Sequence, residues 1–504
     1  MSILQNYFVT KPGEKMIISR LSVHALRAGR GRHFLAITVS IALLLTIVLS
    51  FARPVWGSGN SVHATAPSAT AMSSIGQINI PYFGLSSVPF NQTSIFWFGK
   101  VTPTDNYIDV RMGYNDTELY VNLNVVDQYV WYDPNAVAPN LNKGDTATIY
   151  LDTVQSKSAA PQATSYKFVA QVNWYQSRAT YQAAYQGNGT TWVASTTPFT
   201  TTSTRRGSGL NGNVDSGWSM EYDIPFTSLG LSGPPVQGAT WDLAVEDHNQ
   251  TGATGKTNNV KWWPATAKDA APSSWGPLVY GLPTYQPPST INNANYTIQN
   301  GLNGQVVTDG MVGGGLNCLN ANAGNNRWTQ FGIQTYPQAT RVDIGNEQDI
   351  SDFNCFSKYY ITFPLSLVPT GKGIVSATVT LYLNGNFGGS NGPNPSLIQV
   401  ASTNQGWSAS TLNWNNAPQV GEILSRTTVN LCNGCAKPGV AYTWDVSLAA
   451  ASAYATGQPL RLVFYSMDSP YHTGKYFDSS YGYSTGLPSL QVTAGDVSGG
   501  EVIR

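Results

Sequence analysis

Charge is scarce in this chain. Only 11% of its 504 residues are Asp, Glu, Lys or Arg, against roughly 25% in ordinary soluble domains. The formal net charge is zero, but residues 1–66 hold seven Lys/Arg and one acidic residue, leaving 20 basic and 26 acidic residues beyond them. No basic stripe survives in that larger part, which argues against a nucleic-acid partner. Histidine is scarcer still. Beyond the leader only His248 and His472 remain, too few for a His-rich metal cluster and a poor basis for Ser/His/Asp catalysis. No Walker loop or H-E-x-x-H occurs, so the common nucleotide and zinc-protease signatures are missing. Cysteine is absent before Cys318.

What fills the chain instead is Gly 49, Pro 29, 12% aromatics and many Ser, Thr, Asn and Gln. Such a composition fits an exported, turn-rich β protein with neutral hydrogen-bonding surfaces. The N-terminus agrees. Lys11, Lys15, Arg20, Arg27, Arg30 and Arg32 precede an uncharged apolar run over 34–52, long enough to span a bilayer. The segment 1–66 therefore reads as a cytoplasmic basic leader followed by a signal peptide or membrane anchor, with "HATA" at His63–Ala66 as a cleavage site. The expected location is extracellular or the cell surface. The four cysteines, Cys318, Cys355, Cys432 and Cys435, then suggest two disulfides, most simply Cys318–Cys355 and Cys432–Cys435. "CNGC" lacks the βαβ context of a redox motif, and the spacings suit zinc poorly.

Short alternating runs cover the rest: Tyr107–Met112, Leu119–Asp127, Thr146–Asp152, Tyr166–Tyr175, Trp218–Phe226 and Thr240–Asn249 in the first half. In the second half they are Tyr359–Pro369, Ile374–Gly385, Ser396–Ser402, Tyr442–Ser447, Leu460–Asp468 and Ser489–Ala494. Period-two alternation between turn residues predicts strands. One helix is expected, Leu448–Gly457, capped by Ser447 and Gly457. A Ser/Ala/Thr-rich linker fills 53–75, and Leu282–Asn293 is a polar, Pro-containing connector. The predicted fold is all-β: two antiparallel β-sandwich (jelly-roll-like) domains in series, 76–283 and 292–495, behind the export segment and before a disordered tail at 496–504.

The first half holds "YNDTELYVNLNVVD", "GDTATIYLD", "GWSMEYDIPFTSLGL" and "WWP…SSWGPLVYG" in that order. The series resembles the family 9 carbohydrate-binding modules and their DOMON-like relatives, over about Ile75–Leu282. The resemblance implies aromatics and polar groups clamping a sugar, since pyranose C–H faces stack on rings while Asn, Asp and Glu bind hydroxyls. Trp131, Trp174, Trp262, Trp263 and Trp275 are the candidate platforms. Trp262 and Trp263 point to opposite faces of a strand, so at most one meets ligand. Asp116, Asp127, Asp145 and Asp152 are candidate oxygen ligands for a structural calcium, although no EF-hand spacing joins them. Some relatives of this fold bind haem through His and Met, which would pair His248 with a residue such as Met220.

The second half runs "YYITFPLSLVPTGKGIVSATVTLYLNG", "GWSASTLNWNNAPQVG", "YTWDVS" and "LRLVFYS…KYFDSS…LPSLQV". This pattern resembles the DNRLRE domain, related to the family 96 carbohydrate-binding modules, over about Asn292–Ala494. Within the resemblance, Trp407 and Trp414 pack the sandwich and brace the Asn-Ala-Pro turn. Tyr471, Tyr476, Tyr481 and Tyr483 mark the ligand surface. The expected function is non-catalytic binding of a polysaccharide or cell-wall glycan. The alternatives are a structural cell-surface or matrix protein, and a hydrolase or lyase using Glu221 and Asp223, which share one strand face.

Overall fold

Alternation of apolar and polar side chains sorts the strands into four sheets. The computed structural model describes residues 76–498 except 174–175, 208–210, 253, 255–256, 315–325, 388–393, 433, 469–472 and 483–484. The apolar run at 34–52 and the tail from 499 lie outside the described residues. Among those described, no helix is long and apolar enough to cross a membrane.

The first half forms β1 (Ile78–Ile80), β2 (Ser94–Thr102), β3 (Asp105–Tyr114), β4 (Glu118–Val126), β5 (Thr146–Asp152), β6 (Ser165–Gln171) and β7 (Gln182–Gly187). It continues with β8 (Trp192–Ser195), β9 (Thr200–Arg206), β10 (Gly217–Pro225), β11 (Thr240–Thr251), β12 (Thr257–Trp263) and β13 (Gly276–Tyr280). An eight-stranded sheet in the order β1-β13-β11-β5-β6-β7-β8, with β12 beside β11, faces a five-stranded sheet β2-β3-β4-β10-β9. Phe96 and Trp263 meet between these layers at 4.7 Å, and the Tyr222 hydroxyl donates across to the Ala147 carbonyl at 2.7 Å.

The second half forms β14 (Thr290–Gln299), β15 (Thr308–Gly313), β16 (Arg341–Ile344), β17 (Ser357–Phe363), β18 (Lys372–Asn386) and β19 (Ser396–Ser402). After these come β20 (Glu422–Val429), β21 (Val440–Asp445), β22 (Leu460–Ser466), β23 (Lys475–Asp478) and β24 (Ser489–Val497). The sheets are β14-β24-β18-β23-β16, with β21 beside β18, and β15-β17-β22-β19-β20. Trp444 joins them: its ring meets Phe464 at 5.1 Å and its indole N–H donates to the Ile398 carbonyl.

The two sandwiches are more than consecutive. One apolar cluster runs through both, from Ile78 and Ile95 to Trp414 and Met467. β2 is an edge strand, and unpaired edge groups must find partners when they are buried. The Gln399 side-chain amide, from the second half, accepts from the Ile95 N–H and donates to the Ile95 carbonyl, at 3.1 and 2.8 Å. The Asn415 amide does the same at Val101, at 2.9 and 3.1 Å. Beside these clamps Lys358, 1% exposed, lies against the rings of Trp97, Tyr107, Trp414 and Tyr465 at 3.6–4.7 Å. It is a cation–π box with walls from both halves. Its ammonium donates to the Tyr107 hydroxyl, and burial pushes its pKa well below the usual lysine value. Asp109, on the first half, accepts from the Tyr107 and Tyr465 hydroxyls and from Asn346. Arg111, fully buried, reaches the Met467 carbonyl at 2.7 Å.

"STLNWNNAP" therefore acts chiefly at this junction. Trp414 packs against Tyr107 and Phe331 at 4.8 and 4.9 Å. The turn itself is braced by its own amides, Asn413 accepting from the Asn415 and Asn416 N–H groups, and not by tryptophan. The second of the two α-helices among the described residues, α1 being Asn326–Gln330, is α2, Ser447–Ala455. Ser447 is its first residue and not its cap. Asp445 accepts from the Ser447 N–H, while the Ser447 hydroxyl is taken by Ala377. β24 continues through Asp496 and Val497, two residues into the stretch read as tail, because Asp496 is held by Lys372 and Asn292. Cys432 and Cys435 are bonded. Cys355 is also in a disulfide, and Cys318 lies outside the described residues.

Replacing Asn415 by Ala leaves both Val101 backbone groups unpaired inside the junction. Such a loss is expected to destabilise the chain by about 2–3 kcal/mol. Urea unfolding measures it, and an unchanged midpoint would show that the clamp carries no stability.

Candidate functional site

The outer face of the eight-stranded sheet gathers a group of aromatic rings. On β5, Ala147, Ile149 and Leu151 point to the core, so Tyr150 points out. On β11, Leu243 and Val245 point in and Glu246 out. Across from them on β12, Trp263 is 1% exposed in the core while Trp262 stands on the outer face, opposite Glu246. Tyr150 sits at the centre, with Trp192, Trp262 and Trp275 at 6.1, 5.3 and 5.5 Å. Tyr150 and Trp275 are fully buried and form the floor. Trp192 and Trp262 are half-buried and present ring surface. Trp192 is nearly parallel to Trp275, 3° apart at 6.3 Å.

Polar groups rim this patch. Lys167 and Asp269 pair at 2.8 Å, and the Trp192 indole N–H donates to the same Asp269 oxygen at 3.1 Å. The Lys167 ammonium also lies 5.2 Å from the Tyr150 ring and 5.8 Å from Tyr185. Tyr150 donates to Glu246 at 2.5 Å; burial beside that carboxylate raises its pKa well above the ordinary value and keeps it a donor. His248 lies 3.8 Å from the other Glu246 oxygen. The arrangement offers flat apolar rings flanked by donors and acceptors, the chemistry that holds a sugar.

The nominated residues scatter. Trp262 and Trp275 join the patch, the latter as buried floor. Trp263 packs in the core against Phe96. Trp131 is half-buried in a loop with its indole on the Gly252 carbonyl at 3.0 Å. Trp174, Tyr471 and Tyr483 lie outside the described residues. Tyr476 is half-buried under the Arg341 guanidinium at 4.5 Å. Tyr481 sits in a loop whose Ser480 N–H donates to the buried Asp309. Tyr150, Trp192, Lys167, Glu246 and Asp269 were missed. The hint available was the outward phase of Tyr150, Lys167 and Glu246 within recognised strands; Trp192 and Asp269 had none.

Glu221 and Asp223 lie on the outer face of the five-stranded sheet, tied to the Tyr120 and Thr200 hydroxyls at 2.7 and 3.2 Å. Met220 lies in the core and accepts from Arg178, whereas His248 is on the outer face beside Glu246. A sheet separates them, so they form no haem-ligand pair. The four nominated aspartates do not share one site. Asp116 is at the surface with Tyr82, and Asp152 binds Thr164 and Ser156 at the far end of β5 from Asp145. Asp127 and Asp145 come together, within hydrogen-bonding reach of each other. Among the described residues no three His, Cys, Asp or Glu side chains close on one point to hold a metal.

Residues 329–493 match the family model of Carbohydrate-binding module family 96, less than half of the chain. No curated protein matches it significantly. Among solved structures, a carbohydrate-binding module family 9 from Caldicellulosiruptor kristjanssonii in complex with cellotriose is similar at 15% identity. The similarity covers 41% of this chain and 93% of that one, with a TM-score of 0.29. The module of that organism in complex with glucose is similar at 14% identity over 43% of this chain and 99% of that one, TM-score 0.28.

Asp309 accepts from the Tyr359 hydroxyl and the Ser480 N–H, and burial raises its pKa to about 6. In the unfolded chain it titrates near ~3.9. Between roughly pH 4 and 6 the native state thus holds more protons than the unfolded state, so stability falls as pH rises through that window. The loss from this group is about 3 kcal/mol by pH 7. In Asp309→Asn this component should vanish, which denaturation at pH 4 and pH 7 for both proteins checks.

Proposed function

We propose that this chain is an exported, non-catalytic polysaccharide-binding protein whose sugar site is the patch around Trp192 and Trp262. The observation that carries this reading is the pair of half-buried indoles standing over Tyr150 and Trp275, with Lys167, Asp269 and Glu246 at hydrogen-bonding positions around them. The match of 329–493 to a carbohydrate-binding family supports carbohydrate binding by the chain, through its second sandwich and not through this patch. Export is argued from the basic leader and the apolar run at 34–52. A neutral polymer suits the low charge, and the surface would add a second contact through the half-buried Tyr476 and Tyr481. Because one apolar cluster joins the two sandwiches, both surfaces would meet a polymer without an independent hinge.

Co-sedimentation and gel retardation against a panel of soluble and insoluble polysaccharides, with reducing ends assayed in parallel, test the proposal. Retention without release is expected. Trp262→Ala and Trp192→Ala should each weaken binding about tenfold or more, the worth of roughly 1.4 kcal/mol of stacking. Glu221→Gln should leave binding unchanged. Sugar release that stops in Glu221→Gln would overturn the non-catalytic reading. The structural cell-surface reading draws on a different observation, the full burial of Trp263 and Trp275 and the use of Trp414 as an internal strut. Failure to retain any polymer would favour it.

A further inference from the structure

In the second sandwich a cleft of about 290 Å³ opens between α2, the end of β19 and the start of β22. The sequence explains the gap. Ala449 and Ala453 stand four apart on one face of α2 and are buried against the sandwich core. Their short side chains leave open the space that a longer apolar residue would fill. Thr403 lines the cleft just beyond β19; it is 4% exposed, and its hydroxyl has no hydrogen-bond partner. Its N–H donates to the Arg461 carbonyl at 3.0 Å. The half-buried Arg461 guanidinium and the exposed Gln458 amide also line the cleft, and neither meets a partner among the described residues. Thr456 is different, because its hydroxyl turns back onto α2 and donates to the Ser452 and Ala453 carbonyls.

These groups define what the cleft can hold. Arg461 only donates, whereas the Gln458 amide and the Thr403 hydroxyl both donate and accept. Sugar hydroxyls answer all three, while a C–H edge of the ring meets the apolar floor of Ala453 and Leu460. Charge decides between a neutral and an acidic sugar. The C-terminal end of α2 borders the same cleft, and its partial negative charge offsets Arg461. No net field is left to draw an anion. Volume decides the size: small-molecule pockets span about 300–1,000 Å³, so a cleft at the bottom of that range admits one sugar residue.

We propose that this cleft is a second sugar site, holding one neutral sugar residue of the polymer through Thr403, Gln458 and Arg461. The inference rests on the carbohydrate-binding reading above and gives the second sandwich a site of its own. It is independent of the patch around Trp192 and Trp262, which lies on the first sandwich.

Isothermal titration of the full chain and of its Trp192→Ala/Trp262→Ala variant with cellotriose, xylotriose and mannotriose tests the proposal. The double variant removes the patch and leaves the cleft. It should still bind at least one of the three sugars, about one per chain and with roughly millimolar affinity. Adding Thr403→Val or Ala453→Leu to it should weaken that binding about tenfold or more. The first change deletes a hydroxyl contact and the second fills the cleft. Neither should lower the melting temperature without sugar, since Val removes an unpaired hydroxyl and Leu occupies empty space. A double variant that binds none of the sugars its parent binds would overturn the proposal. So would binding that is unchanged by both added substitutions, tighter binding of trigalacturonate than of the neutral sugars by the double variant, or a parent that binds none of them. The patch reading fails separately, if the double variant matches its parent in affinity and stoichiometry.

Discussion

The edge of β2 is the constraint on which the rest of the structure turns. A buried strand edge carries N–H and C=O groups that no neighbouring strand answers, and water cannot reach them. In this chain two side-chain amides more than 300 residues away, Gln399 and Asn415, supply the missing partners. That requirement brings the second sandwich against the first, and the surrounding aromatic surface then closes around Lys358. A buried amine in such a box meets ring faces on several sides, with Asp109 acting on it through the shared Tyr107 hydroxyl, and the box exists only when both halves contribute their walls. The sparse charge of the sequence thus has an inside as well as an outside: Lys358, Arg111 and Asp109 are all buried at the junction.

Aromatic residues serve two physical ends here. Most described tryptophans bury their rings and hold layers together, as Trp444 does between its sheets and Trp414 between the sandwiches. Trp192 and Trp262 differ because they are only half-buried, Trp192 against Tyr150 and Trp275 and Trp262 against Tyr150. A rigid floor fixes the exposed rings in position, which lowers the entropic loss on binding a flat ligand. Identity of the residue does not distinguish the two uses; the neighbours do.

Much of the fold was legible. Thr146–Asp152 and Ser396–Ser402 coincide with β5 and β19, and other long runs such as Ile374–Gly385 differ only at their ends, since period-two alternation is imposed locally by burial of one face. Short strands such as β1, β8, β16 and β23 carry too few residues to show a period, and they owe their existence to the neighbours they pair with. The candidate site was legible only in part. Trp262 was separable from Trp263 by phase alone. Trp192 lies on a four-residue strand at the edge of the sheet and meets Trp275 because the segment between β12 and β13 lies over the outer face, with Asp269 at Lys167. Asp127 and Asp145 were nominated with Asp116 and Asp152, but Asp145 precedes β5 and Asp152 ends it, so only the first two come together.

What the sequence determined by itself is the local part: which stretches extend, which face of each strand is apolar, and where turns interrupt them. Those properties follow from side-chain volume, polarity and backbone preference within a few residues. The tertiary structure alone decided which outer faces meet solvent and which meet the other half, which tryptophans become struts, and which buried backbone groups a distant side-chain amide answers. Each of these depends on contacts between residues far apart in the chain, where packing and the need to satisfy buried polar groups select one arrangement among many that the local pattern permits.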